Sequence, residues 1–266
     1  MSREQQGSQT GGIVPGMASM GASPPVDGRS LRGAVLSNAV LRGLDLSGVD
    51  FTGAKLTDAD LSGTRLAGAI FDNADLSGAR LDGADLSQAR LRSANGPGAG
   101  PSGSPTMRGA ILREADLTGA WLKGADLREA DLSDANLLNA DLEESNLTGA
   151  RLPRANLTGA NLRRAALEGA QLPHATLVGA DLSHARAAGG DLERAILVRA
   201  RLMASDLSGS NLRGAEMNAA LLEGADLRGA DLSNADLSDA DLGDALLDDV
   251  KLEGARLGEA RNLRLP

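Results

Sequence analysis

Residues 225–244 read ADLRG-ADLSN-ADLSD-ADLGD, which is four copies of one five-residue unit. The leucine of each unit, here termed the centre, recurs every five residues from Leu31 to Leu91 and again after Met107 as far as Leu257. An amphipathic helix repeats its apolar positions about every 3.6 residues, and a half-buried strand about every 2. A period of five fits neither pattern, so the sequence predicts a solenoid whose repeating unit is the pentapeptide.

The composition of the unit predicts a narrow, filled interior. Leucine stands at 39 of the 44 centres, and the residue two positions earlier is nearly always alanine. A large apolar residue beside a small one suits a core packed near crystal density. The three other positions are mostly Asp, Asn, Arg, Ser, Thr and Gly, which are typical of a solvated wall.

This unit resembles the A(D/N)LXX motif of the pentapeptide repeat family, and the resemblance covers residues 31–257. It implies an all-β fold: a right-handed, quadrilateral parallel β-helix of about 11 coils, 20 residues each, roughly 50 Å long. Two spacings agree with a 20-residue coil, since Phe51 and Phe71 are 20 residues apart and so are Pro153 and Pro173. We expect each pair to share one column on adjacent coils.

Three segments fall outside the repeat. Residues 1–30 are rich in Gly, Ser, Pro and Gln and are predicted to form a disordered tail. Residues 258–266 are predicted to form a short C-terminal cap. Residues 92–106 contain three prolines and four glycines and separate two centres by 16 residues, which suggests 11 added residues in a projecting loop.

The loop has two explanations at this point, a tolerated surface insertion or a contact loop on a rigid scaffold. In either case we expect its deletion to leave the fold intact. Its candidate partner-binding residues are Arg92, Asn95, Pro97, Pro101 and Pro105.

A second irregularity lies at Ala187, which replaces a leucine centre, and at Gly190, which replaces the next alanine. A leucine-sized void costs about 2–5 kcal/mol when it does not collapse. We therefore expect a local kink or narrowing there.

Negative charge is concentrated near one end. The chain has a net charge of −9, and residues 216–249 contain ten acids against the single base Arg228. Aspartate could be satisfying local backbone donors, but asparagine would do so equally well without adding charge. The cluster is therefore predicted to be an acidic girdle that binds a partner, formed by Asp226, Asp231, Asp236, Asp239, Asp241, Asp244, Asp248 and Asp249.

An acidic rod repels nucleic acid, so we expect no direct nucleic-acid binding. A cylinder with carboxylates on every side could instead imitate DNA. The resemblance implies such a role, because some pentapeptide repeat proteins occupy the DNA-binding saddle of DNA gyrase or topoisomerase IV and protect it from antibiotics. This chain departs from them in having phenylalanine at only two centres and only nine residues after Leu257. The alternative function is a scaffold or adaptor, and homodimerisation is left open.

Catalysis is not expected. The chain has no Cys or Tyr, only two histidines, and no phosphate-binding or metal-binding motif. We therefore predict no catalytic residue, no cofactor and no metal site. No stretch approaches 18 apolar residues, so no membrane span is expected, and the lack of cysteine fits a cytoplasmic location.

Overall fold

The structure, a computed structural model, describes residues 29–95 and 103–262. Each residue directly before a centre, here termed the wall position, forms a parallel bridge to the wall residue one coil on, 20 residues later except around residues 96–102. The first bridge joins Ser30 to Asp50 and the last joins Asp241 to Arg261. The predicted parallel β-helix is confirmed, with four pentapeptides and therefore four sides to a coil. Within the described ranges these single-residue bridges are the only β-structure, and there is no helix.

The ends of the predicted domains lie largely outside this part of the chain. Residues 1–28 of the predicted tail and residues 263–266 of the predicted cap are not described, so both predictions stay untested there. Arg261 still bridges to the coil below it, so the regular winding continues past Leu257. The number of coils stays a prediction.

Each side of a coil ends in a tight turn that the five-residue unit itself specifies. In one representative unit, the N–H of Ala120 donates to the carbonyl oxygen of the centre Leu117 over 3.0 Å. Gly119, at the corner position two places after the centre, has a φ of 63°, which glycine adopts without steric cost. The wall residue Asp116 accepts the N–H of Thr118 through its carboxylate over 3.1 Å. The unit's preference for aspartate and glycine is therefore turn chemistry.

Centres and alanines form one continuous buried core. The rings of Phe51 and Phe71 stack with centroids 4.8 Å apart and planes within 7°, which confirms their shared column. Pro153 and Pro173 also share a column, because each follows a centre and the N–H of Arg154 donates to the Pro173 carbonyl over 3.0 Å. The position after a centre, here termed the turn position, gives no N–H to the ladder between coils. Proline is therefore tolerated there.

The coil with the insertion has 26 residues rather than 20, because Arg80 bridges Thr106. Only six residues are added. The predicted figure of 11 was wrong because one pentapeptide of this coil lacks a recognisable centre. Backbone hydrogen bonds between coils continue through 92–95 and 103–106, so these flanks belong to the wall and not to a loop. The predicted loop is thereby reduced to 96–102, which lies outside the described residues.

The ladder runs without interruption past Ala187. Its N–H donates to the carbonyl of Asp206 over 2.7 Å, and the N–H of Gly190 donates to the carbonyl of Ala187 over 3.0 Å. Leucine centres make the same two bonds at the same lengths. The predicted kink is therefore absent from the hydrogen-bonded ladder, because backbone bonds set the spacing between coils whatever side chain fills the interior.

Candidate functional site

The eight acids of the predicted girdle occupy two kinds of position. The first four, here termed the wall acids, stand at wall positions on four successive sides and are Asp226, Asp231, Asp236 and Asp241. One carboxylate oxygen of each accepts the N–H of the residue two places on, over 3.0 to 3.1 Å. The wall acids therefore cap their own turns, which was the local alternative considered for them.

The wall acids are also paired with bases, most of which come from neighbouring coils. Except for Arg228, these bases lie 18 or 20 residues from their partners in sequence and outside residues 216–249. The pairs are Asp226–Arg228, Asp231–Arg213, Asp231–Lys251, Asp236–Arg256 and Asp241–Arg261, with nitrogen–oxygen distances of 2.6, 3.3, 3.7, 3.5 and 3.9 Å. The charge of the wall acids is consequently balanced at short range.

Hydrogen bonding holds the wall acids ionised. The Ser238 hydroxyl, helped by the Asn218 amide, lowers the pKa of Asp236 to about 2. The Arg228 guanidinium lowers the pKa of Asp226 below its ordinary value. Hydrogen bonds likewise lower the pKa of the other two wall acids. All four are carboxylates at neutral pH, but their oxygens are already engaged.

A second set of acids stands at corner positions. Asp239, Asp244 and Asp249 lie on three successive corners with φ of 60°, 54° and 58°, and Glu259 lies one coil after Asp239 with φ of 56°. All four are exposed, and no ion pair involves them within the described ranges. We term these four the corner acids. Asp248, exposed at a turn position, adjoins them.

The sequence analysis missed this division, and it missed Glu259 altogether. The signal that separates the sets is the residue that usually fills each position. Glycine predominates two places after a centre because φ is positive there. An acid at that position lies on a protruding corner, whereas an acid directly before a centre lies in the hydrogen-bonded wall.

The predicted loop residues do not come together as a contact loop in the described residues. Pro97 and Pro101 lie outside them. Arg92 is a wall-side residue whose Nε pairs with Asp116 at 2.5 Å. Pro105 is buried at the position that alanine usually fills. A binding role for these residues stays a prediction.

Asn95 has a structural role at the insertion. Elsewhere the N–H of a centre donates to the backbone carbonyl of the next coil's wall residue, as Leu56 does to Asp75 over 2.7 Å. Asn95 has a φ of 57°, and its side-chain oxygen instead accepts the N–H of Leu76 over 2.6 Å. Its amide nitrogen is buried without a hydrogen-bond partner. The side chain thus replaces a backbone acceptor where the coil becomes irregular.

One side of the rod carries no charged residue over three coils, in residues 136–139, 156–159 and 176–179. Its polar groups satisfy one another, as where the amide nitrogen of Asn156 donates to the side-chain oxygen of Asn136 over 3.0 Å. We term this surface the neutral face. It contrasts with the acidic corners and is the second surface available to a partner.

The described part of the chain offers little for catalysis. It contains no group of three or more His, Cys, Asp or Glu residues arranged to hold a metal ion. His174 and His184 stand on corners two pentapeptides apart, so their imidazoles do not converge. A search of the same residues found no helix with the length and apolarity needed to cross a membrane.

Comparison with known proteins agrees with the repeat. A family profile described as "Pentapeptide repeats" matches eight copies, over residues 28–95 and 110–261. Proteins of this kind fold as right-handed β-helices, the hand that the resemblance implied. No curated protein matched.

Three solved structures are similar. HetL, a pentapeptide repeat protein involved in heterocyst differentiation regulation from the cyanobacterium Nostoc, is 34% identical over 85% of this chain and 90% of its own, with a TM-score of 0.46. QnrB1, a plasmid-mediated fluoroquinolone resistance protein, is 21% identical over 82% and 88%, with a TM-score of 0.32. A pentapeptide repeat protein from the Arabidopsis thaliana thylakoid lumen is 31% identical over 48% and 67%, with a TM-score of 0.22.

Proposed function

Because this chain belongs to the pentapeptide repeat family, we propose that it is a non-enzymatic binding protein whose corner acids imitate the phosphates of DNA. The proposed partner is the basic DNA-binding surface of a type II topoisomerase, either DNA gyrase or topoisomerase IV. Occupation of that surface protects the enzyme from antibiotics that trap it on DNA. A cytoplasmic location is part of the same proposal.

The observation that supports this proposal is the lack of ion pairs at the corner acids within the described ranges. The wall acids already have bases beside them, so a partner's arginines gain little there. The corner acids are exposed on successive corners, and they therefore face different sides of the rod. Hydrogen bonds between ionised groups are roughly twice as strong as neutral ones, which makes free carboxylates the preferred contacts for arginine and lysine.

The test is a gyrase supercoiling assay with the purified full chain, with and without a quinolone. We expect the protein to restore supercoiling in the presence of the drug and to reduce trapped cleavage complexes. The effect should weaken steeply as salt rises, because screening shortens the reach of exposed charges. No effect on gyrase or topoisomerase IV at a large molar excess would overturn the proposal.

Two charge-matched variants locate the surface. The first replaces the corner acids by amides: Asp239→Asn, Asp244→Asn, Asp249→Asn and Glu259→Gln. The control makes the same change at corner acids that have partners in the described structure: Glu114→Gln, Glu129→Gln, Asp134→Asn and Glu144→Gln.

Both variants change the net charge equally and at equivalent positions, so they separate local contacts from net charge. We expect the first to need at least about tenfold more protein for protection, since each hydrogen bond to a charged group contributes about 1.5–3 kcal/mol. The control should stay near the unmodified protein. Equal loss in both variants would mean that net charge, and not the corner acids, governs binding.

The neutral face favours a second function, that of a scaffold or adaptor. An uncharged side on an otherwise charged rod suits contact with a partner that does not depend on charge. Such binding should survive 0.5 M salt and should be lost in a Leu138→Glu, Val178→Glu variant. Retention of the partner by that variant would exclude this surface.

A further inference from the structure

The ladder between coils has a direction. Towards the later coil, one pentapeptide donates two N–H groups, as Leu56 does to Asp75 over 2.7 Å and Asp58 does to Ser77 over 2.9 Å. It accepts one, from the N–H of Asp75 to the carbonyl of Ala54 over 2.9 Å. The face turned to the later coil is therefore rich in donors, and the face turned to the earlier coil is rich in acceptors.

The first and last described coils keep these groups unused by the backbone of the described residues. The last coil, residues 245–261, presents the N–H groups of its three centres and three corners. The first coil, residues 30–48, presents the matching carbonyls of its wall and turn positions. The donors belong to Leu247, Asp249, Leu252, Gly254, Leu257 and Glu259, and three of the acceptors to Val35, Val40 and Asp45.

Neither of these coils has the side chains that usually protect a free strand edge. Natural edges carry lysine or proline, which discourage pairing with another chain. Two wall positions of the first coil instead carry β-branched residues, Val35 and Val40, with exposed fractions of 57% and 75%. In the last coil, the centres Leu252 and Leu257 are only partly buried, whereas interior centres are fully buried.

The two coils also differ in charge. The first contains Asp45 and Arg42, with Arg29 and Arg32 beside them, and so carries an excess of bases. The last contains five acids against three bases in residues 242–261. Contact between a first and a last coil therefore places opposite charges together, whereas contact between two last coils places acid against acid.

We propose that a second copy of this chain stacks its first coil on the last coil of the one before it, head to tail, and continues the parallel ladder. Every internal pair of coils shows the geometry of that contact, because all four sides have the same length in each coil. A head-to-tail contact uses different surfaces on its two partners, so it does not close and produces linear chains of molecules. This inference does not depend on the proposed function.

The contact is small, since it covers only one cross-section of the rod. Interfaces below standard size are generally weak. We therefore expect association to be reversible and concentration-dependent. Residues 1–28 and 263–266 adjoin these coils and are not described, so the test uses the full chain.

The experiment measures the mass of the full chain by sedimentation equilibrium between about 1 µM and about 1 mM, the range of weak dissociation constants. We expect the average mass to rise with concentration to at least twice the monomer's 27.1 kDa. We also expect the rise to diminish in high salt. A constant monomer mass throughout would overturn the proposal.

A variant blocked at one end distinguishes head-to-tail stacking from a symmetric dimer. Val35→Lys with Val40→Lys adds charge at exposed positions of the first coil only. This variant should stay monomeric alone and should shorten the chains formed by the unmodified protein, because its last coil is still free to bind. The control Ile111→Lys changes a partly exposed wall residue in an internal coil and should associate normally.

Association of the blocked variant to the same extent as the unmodified protein would overturn the proposal, since it would place the contact elsewhere. Circular dichroism confirms that both lysine variants keep the fold. Electron microscopy then provides a second readout, with rods whose lengths are multiples of one molecule.

Discussion

The corners of the coil make opposite predictions for one chemical change, alanine to glycine. Ala204 stands at a corner with a φ of 52°, and alanine has no polar group with which to compensate. The left-handed conformation costs a residue with a Cβ roughly 1–2 kcal/mol. Glycine avoids that cost but loses about 0.4–1 kcal/mol through the greater entropy of its unfolded chain. We therefore expect Ala204→Gly to raise the free energy of unfolding by about 0.5–1 kcal/mol.

Ala200 provides a matched control in the same pentapeptide. It is fully buried in the core and does not have a positive φ. Ala200→Gly brings the same entropic loss of about 0.4–1 kcal/mol without relief of strain. It also removes a buried methyl group worth roughly 0.8 kcal/mol. We expect this variant to lower the free energy of unfolding by about 1–2 kcal/mol.

Urea unfolding followed by circular dichroism measures both changes. Because a solenoid can unfold in more than one step, coincident transitions by a second probe are needed before free energies are compared. The two variants should differ by about 2–3 kcal/mol, with opposite signs relative to the unmodified protein. Destabilisation by Ala204→Gly of the same size as by Ala200→Gly would refute the assignment of strain to the corners.

Three further changes test other parts of the rod. Replacing residues 96–102 by one leucine restores a 20-residue coil with the local sequence Ala-Asn-Leu-Gly-Ser, and the melting temperature should stay equal or rise; a large fall would contradict a six-residue insertion. Asp236 has a pKa of about 2 when folded against an ordinary value of 3.8, so its stabilising contribution is full above about pH 4 and is lost as the pH falls towards 2. Urea midpoints of Asp236→Asn should therefore fall less over that window, and parallel curves would argue against it. A double-mutant cycle of Phe51→Leu and Phe71→Leu should give a coupling energy of about 0.5–1.5 kcal/mol, whereas additive losses would leave the ring stack without energetic weight.

Much of the fold could be predicted from sequence because the repeat is local. The turn, the buried centre and the capping aspartate all lie within five residues, so each copy reports them independently. The columns of Phe51 with Phe71 and of Pro153 with Pro173 followed from the coil length alone. The size of the insertion did not, because counting centres missed a pentapeptide without leucine. Only the bridge from Arg80 to Thr106 gives the 26-residue coil.

The candidate site was harder to predict because its electrostatics act between coils. The segment 216–249 has one base in sequence, yet Arg213, Lys251 and Arg256 reach its wall acids from coils before and after it. A charge count along the chain cannot register neighbours 18 or 20 residues away. Asn95 is a similar case, since its side chain takes over a backbone carbonyl's role only where the coil departs from its rule.

The constant length of a side makes chain length equivalent to an angle. Removing one pentapeptide turns everything after it by a quarter of a revolution about the axis, whereas removing four shortens the rod by one layer without turning it. The six-residue insertion illustrates a third case, because the chain departs and returns without rotating the coils beyond it. One pentapeptide added between residues 179 and 225 would thus re-aim the corner acids relative to the neutral face without altering either surface. Evolution can adjust the direction of a surface on such a rod separately from its chemistry.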